Sequence, residues 1–152
     1  MITIREHQFQ KGIELSPEDE QVLNVYGQLT SDGEPYSNED LYLHWKEEFN
    51  TDTNRCYVLR NSDGVVAVAN YDSQSAENTS NLEVIVVDEA KRKKFGYGSL
   101  LMDFLAEQTS RDGNSALTLN ADENTVDYYS QKHGFEVTEM KNPHDIRMTK
   151  RV

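Results

Sequence analysis

The chain has 152 residues and carries 27 acidic against 15 basic side chains, a formal net charge of -12. That length suits one domain over residues 1–152 with a core of its own, and 36% hydrophobic with 28% charged residues is too apolar a mixture for a disordered chain. The acidity argues against nucleic acid as a partner, since phosphate backbones reward basic surfaces, and no run approaches the roughly 18–20 apolar residues of a membrane span.

The first ten residues, MITIREHQFQ, lack the apolar stretch of a secretory signal, so none is expected and the cytoplasm is the expected compartment. Residues 1–7 alternate weakly through Ile2 and Ile4 and predict a short strand. Ser16-Pro17-Glu18-Asp19 starts a helix: a Ser cap, Pro at the first helical position, and acids at the positive end of the macrodipole. That helix runs to about Tyr26, where Gly27 follows. Ser37-Asn38-Glu39-Asp40 repeats the signal ahead of Leu41, Trp45 and Phe49, spaced by four.

Residues 56–59 and 65–69 flank Asn61-Ser62-Asp63-Gly64 and read as a hairpin. Cys56 is the single cysteine, which excludes an intramolecular disulfide and a multi-cysteine metal site; in a strand it is expected to pack as a small buried residue. Residues 82–87 (LEVIVV) predict a central strand buried on both faces. Residues 98–111 place Leu100, Leu101, Phe104 and Leu105 on one helical stripe, ended by Gly113. Residues 116–120 predict a strand, 125–133 a short helix with Asn124 as cap, and 134–140 and 146–152 two closing strands. The order is that of a mixed α/β (α+β) fold with one sheet.

Charge is unevenly spread. Residues 12–52 hold eleven acids and one base, Lys46, while Lys91-Arg92-Lys93-Lys94 is a run of four bases. The basic run leads into Phe95-Gly96-Tyr97-Gly98-Ser99, between a strand and a helix. Glycines at 96 and 98 allow close backbone approach, and the first amides of a helix suit a phosphate. The GxxxxGK[ST] nucleotide loop is absent, and a dinucleotide fingerprint fails because Leu101 stands where its third glycine belongs. His7, His44, His133 and His144 show no metal-ligand spacing, so no metal is expected.

Lys93-Lys94-Phe95-Gly96-Tyr97-Gly98 resembles the Gln/Arg-x-x-Gly-x-Gly/Ala loop of the GNAT superfamily of N-acetyltransferases. Ser99-Leu100-Leu101-Met102 resembles the helix that follows it. Residues 117–124 (LTLNADEN) resemble the family's fifth strand and Asn-containing loop, and Tyr128-Tyr129-Ser130-Gln131-Lys132-His133-Gly134-Phe135 its aromatic-Tyr-x-Lys-x-Gly-Phe segment. The chain departs from the pattern by one residue between Val87 and Lys93, and Tyr129 stands five residues before Gly134 where four is usual.

The resemblance implies a GNAT-like acyl-CoA N-acyltransferase fold, with one central, mostly antiparallel sheet and helices on both faces. It implies acetyl-CoA as co-substrate and an amine as acceptor. Lys93, Lys94, Phe95, Gly96, Tyr97, Gly98 and Ser99 would hold the CoA pyrophosphate. Val86 or Val87 would offer a backbone amide to the developing oxyanion, and Asn124 would bind pantetheine or CoA. Glu83 would be the general base, with a proton held more tightly if the carboxyl is half-buried. Tyr129 would be the general acid for the thiolate, with Tyr128 as substitute. Trp45 and Phe49 would seat a helix bordering the acceptor pocket, and a homodimer is compatible with the family. The acidic residues 12–52 favour a cationic amine, a small molecule or a protein amine. Two other readings stay open at this point: a non-catalytic acyl-CoA sensor on the same fold, and an unrelated α/β domain whose basic loop holds another phosphorylated ligand.

Overall fold

The computed structural model describes residues 1–9, 15–29, 53–91 and 96–152. Among the described residues, seven strands form one sheet: β1 (Thr3–His7), β2 (Asn54–Asn61), β3 (Gly64–Gln74), β4 (Thr79–Val87), β5 (Ala116–Ala121), β6 (Glu136–Asn142) and β7 (Asp145–Arg151), in the spatial order β1-β2-β3-β4-β5-β7-β6. Three α-helices are described, α1 (Pro17–Tyr26), α2 (Tyr97–Arg111) and α3 (Val126–His133). The helix expected after Ser37, with Trp45 and Phe49, lies outside the described residues, as does His44. Among the described residues no helix is long and apolar enough to cross a membrane. The chain groups into two compact units, Met1–Asn70 with Val84–Leu101, and Tyr71–Glu83 with Met102–Val152.

In the first unit, β1 pairs antiparallel with β2 from Thr3↔Arg60 to His7↔Cys56. The β2–β3 turn is closed by the Asp63 amide donating to Asn61 Oδ1 at 2.8 Å, and Gly64 takes the positive φ of +119° that the turn requires. α1 starts as its sequence dictates. The Asp19 amide donates to Ser16 Oγ at 3.0 Å, and the Ser16 amide donates to Asp19 Oδ2 at 3.1 Å, a reciprocal capping box. Asp19 also holds His7, whose Nε2 lies 2.8 Å from Asp19 Oδ1 in a buried pair. Behind this cap, α1 buries Val22, Leu23, Val25 and Tyr26 with Phe9, Cys56, Val58, Val65, Val68 and Val86. Cys56 is buried as expected, with its Sγ 3.5 Å from the Tyr26 hydroxyl.

In the second unit, β4 and β5 are parallel, paired from Thr79↔Ala116 to Leu82↔Leu119. β5 pairs antiparallel with β7 from Ala116↔Arg151 to Ala121↔Ile146, and β7 carries β6 as the edge strand. A polar knot sits at the end of α2. The Tyr71 hydroxyl lies 2.6 Å from Ser80 Oγ and donates to Asp112 Oδ2 at 2.6 Å; Asn114 Nδ2 donates to Ser73 Oγ and Ser80 Oγ. Gly113, at φ +81°, ends α2 as expected.

Two burial expectations are corrected. β4 is central, fourth of seven, but is not buried on both faces: Leu82 and Val86 are buried, Val84, Ile85 and Val87 are partly covered, and Glu83 is exposed. Its ladder with β5 ends at Leu82, so the residues beyond lack that neighbour's cover. Leu100 is 41% exposed. At about 100° per residue it rotates off the buried line through Leu101 and Leu105, which are fully covered.

Candidate active site

The first unit holds the phosphate-loop candidates. β4 leaves the sheet through a turn that its own side chains build. Asp88 donates its amide to the Val66 carbonyl of β3 at 2.8 Å, and Asp88 Oδ1 accepts the Ala90 amide at 3.2 Å. Gln28 braces the same turn, accepting the Glu89 amide on Oε1 at 2.8 Å and reaching Asp88 Oδ1 with Nε2 at 3.4 Å. One 3-10 turn, Glu89–Lys91, follows. Arg92, Lys93, Lys94 and Phe95 lie outside the described residues.

Gly96 re-enters with φ +64°, and a β-carbon placed there meets nothing among the described residues within 4 Å. Glycine is needed for the backbone conformation, and no described residue crowds it. The first helical bond of α2 runs from the Leu100 amide to the Gly96 carbonyl at 3.1 Å. The amides of Tyr97, Gly98 and Ser99 therefore precede the helical ladder, at the positive end of the dipole. Tyr97 is buried, and its hydroxyl accepts from Asn61 Nδ2 at 3.1 Å, which pins the helix start to the end of β2. The cradle suits a pyrophosphate: amides, a positive-φ glycine and a basic run leading in.

Val86 and Val87 end β4. Val86 packs into the first unit's core. Because the Asp88 amide turns toward β3, alternation along an extended strand directs the Val87 amide to the opposite edge of β4.

Glu83, Asn124 and Tyr129 belong to the second unit. The condition set for a tighter-held proton on Glu83, a half-buried carboxyl, is absent: its side chain is exposed on β4. It is nevertheless held, because Asn81 Nδ2 donates to Glu83 Oε1 at 2.7 Å. Asn81 Oδ1 in turn accepts from Thr118 Oγ1 at 2.8 Å, and Arg147 Nη2 donates to Thr118 Oγ1 at 3.0 Å. Sequence reasoning missed Asn81, Thr118 and Arg147. The only signal was the polar i, i+2 alternation in each strand, which names no partner without the register. Arg147 also lines a polar cavity of about 240 Å³ with Asn120, Glu139, Lys141 and Asp145.

Asn124 does not cap α3. Thr125 takes the cap position, but its Oγ1 donates to the Asp122 carbonyl at 2.9 Å instead of capping. Asp122 builds the turn, accepting the Asn124 amide on Oδ1 at 3.1 Å and the His144 ring on Oδ2 at 2.8 Å. The His144 hydrogen bond first, and the Asn124 amide second, hold the Asp122 carboxyl below its usual range. Asn124 itself is exposed.

Tyr129 is partly buried, edge-on to Phe135 with centroids 6.0 Å apart and to Tyr128 at 5.2 Å. Burial, and after it the neighbouring Tyr128, push its phenol above the ordinary value, so the neutral donor form is favoured. The Gly134 amide reaches both the Ser130 and Tyr129 carbonyls, and the Phe135 amide bonds the Tyr129 carbonyl at 3.2 Å. The last turn of α3 is thus widened to π-type, with Gly134 at φ +74° leading out and Phe135 buried. His133 is buried, with Nε2 3.2 Å from the Tyr128 hydroxyl.

The sequence model described as Acetyltransferase (GNAT) domain matches residues 27–149. No curated protein matches the chain. Among solved structures, the chain is similar to Ard1 from Thermoplasma volcanium, with 22% identity and TM-score 0.65 over 99% of this chain and 97% of that one. It is similar to an acetyltransferase from Thermus thermophilus, with 15% identity and TM-score 0.74 over 99% and 97%. A variant of the SpeG spermidine N-acetyltransferase from Vibrio cholerae gives 13% identity and TM-score 0.70 over 99% and 93%. At these identities the structures speak for the fold.

Proposed function

Because the chain belongs to the GNAT acetyltransferases, we propose that it transfers an acetyl group from acetyl-CoA to a primary amine, with a cationic small molecule or a protein amine as acceptor. The observation that carries the reading is the start of α2, where a positive-φ Gly96 precedes the amides of Tyr97, Gly98 and Ser99. Lys93, Lys94 and Phe95, next to Gly96 in the sequence, are assigned to the same phosphates by the family loop they resemble, and residues 1–152 act as one transferase domain. Acetyl-CoA, when bound, supplies an activated thioester carbonyl. Glu83 takes a proton from the attacking amine, and the Val87 amide, with Val86 as the alternative, stabilises the charge developing on the carbonyl oxygen. Once the C–N bond has formed, Tyr129 gives its hydroxyl proton to the sulfur as the C–S bond breaks; its phenol is neutral at neutral pH. Asn124 contributes a polar contact to the pantetheine arm.

The acidic residues 12–52 support a cationic acceptor, since carboxylates raise the local concentration of cations. The spermidine acetyltransferase among the similar structures has an acceptor of that charge class. The test is a calorimetric titration with acetyl-CoA, CoA and ATP, followed by turnover on a panel of polyamines, amino acid derivatives and lysine peptides. Acetyl-CoA binding well above ATP, with turnover on a cationic amine, is expected. Binding without turnover on any amine would make the protein an acyl-CoA sensor, and no binding of either CoA species would overturn both readings.

A further inference from the structure

The hydrogen bonds around Glu83 run in one direction across the second unit's strands. The register brings the participants together: Asn81 and Thr118 are partners in the parallel ladder, and Arg147 is paired with Asn120, two residues beyond Thr118. Side chains two apart share a face of a strand, so Asn81 and Glu83 on β4 meet Thr118 and Asn120 on β5 and Arg147 on β7. Arg147 is anchored there by a second bond, from Nη1 to Asn120 Oδ1 at 3.2 Å.

The chemistry of the groups leaves one orientation. An ionised carboxylate only accepts, so Asn81 must turn its NH₂ toward Glu83, at 2.7 Å. Its carbonyl then faces Thr118, whose hydroxyl must donate, to Asn81 Oδ1 at 2.8 Å with the Ser80 carbonyl a longer acceptor at 3.3 Å. The remaining lone pairs of Thr118 face Arg147, which only donates. Flipping the Asn81 amide would set two acceptors 2.7 Å apart at the Glu83 end. The chain is self-consistent from guanidinium to carboxylate.

We infer that Asn81, oriented by Thr118 and Arg147, is the positioning residue for Glu83, an inference that rests on the reading of Glu83 as general base. An exposed glutamate on a strand otherwise spreads over several rotamers, and ordering it costs side-chain entropy. The bond from Asn81 fixes one carboxylate oxygen, Oε1, and leaves Oε2 to meet the amine proton. These hydrogen bonds supply the order that burial would otherwise have given Glu83.

The test pairs kinetics with a readout that does not depend on activity. Thr118→Val is near-isosteric and breaks the chain, Thr118→Ser keeps the hydroxyl, and Asn81→Leu removes the donor. With acetyl-CoA and the best amine of the panel, kcat is expected to fall about tenfold in Asn81→Leu and about threefold to tenfold in Thr118→Val. KM for acetyl-CoA stays within about twofold, and Thr118→Ser returns kcat to near the wild-type value. Glu83→Gln with Asn81→Leu should be no slower than Glu83→Gln alone, because Asn81 acts only through Glu83. In ¹⁵N-edited spectra the Asn81 side-chain NH₂ signal should sit downfield in the wild type and in Thr118→Ser, and move upfield in Glu83→Gln and Thr118→Val. An Asn81 signal indifferent to both substitutions would overturn the chain itself, whatever the kinetics. Intact NMR signatures with full turnover in Glu83→Gln would overturn the base reading and the positioning role with it. A Glu83→Gln enzyme that is slow while Asn81→Leu and Thr118→Val run at full rate would overturn the positioning role and leave the base reading standing.

Discussion

At the scale of single residues, Tyr129 and Cys56 show how burial sets chemistry. Tyr129 is partly covered, and its phenol is raised by that cover, so its neutral form extends further into the alkaline range. Tyr129→Phe is expected to lower kcat about tenfold or more, with acetyl-CoA affinity nearly intact, in steady-state and binding measurements; an unchanged kcat would remove it as the acid. Burial pushes the Cys56 thiol from an ordinary 9.0 to about 12. A thiol that ionises later in the folded than in the unfolded chain gives stability that is whole below pH 9 and is lost as pH rises toward about 12. Urea unfolding between pH 8 and 10 should therefore show a steeper loss in the wild type than in Cys56→Ala; Tyr71 ionises later and is common to both, and Tyr26, which loses its Cys56 partner in the variant, stays raised by its burial. The same burial predicts that thiol reagents label Cys56 only after unfolding.

At the scale of elements, two glycines with similar backbones are expected to do different work. Gly96 and Gly134 have φ of +64° and +74°, and neither crowds a described residue when given a β-carbon. Alanine at either position should cost about 1 kcal/mol of stability from backbone conformation alone. The two part on ligand binding. Gly96→Ala disturbs the entry to the α2 amides and should weaken acetyl-CoA about tenfold or more by calorimetry. Gly134→Ala sits at the exit of α3 and should leave that affinity within about twofold. An equal loss of affinity in both would remove the phosphate cradle from the start of α2. At the sheet's far side, β6 is exposed along its whole length, and two register shifts with Glu136, Glu139 and Lys141 blunt it as an edge.

At the scale of the whole molecule, the net charge of -12 should act on the acceptor before contact. Raising salt from about 20 to 300 mM is expected to lower kcat/KM for a polyamine several-fold, and for an uncharged amine hardly at all. Equal salt responses would separate the acidity from acceptor choice. The sequence by itself determined what depends on neighbours along the chain: the Ser16–Asp19 cap, the Asn61–Gly64 turn, the glycine that opens α2, the GNAT pattern and the element order. These are contacts over a few residues, and their partners are visible in any short window. Only the tertiary structure decided that Glu83 is exposed, that Asp122 and not Asn124 organises the approach to α3, and that α3 ends in a wide turn on the Tyr129 carbonyl. It alone set Asn81, Thr118 and Arg147 in line with Glu83. Those partners lie 37 and 29 residues apart along the chain, and a one-residue slip of any strand would turn its side chain to the other face. Register is settled by the packing of the whole sheet, so no local pattern in the sequence could state it.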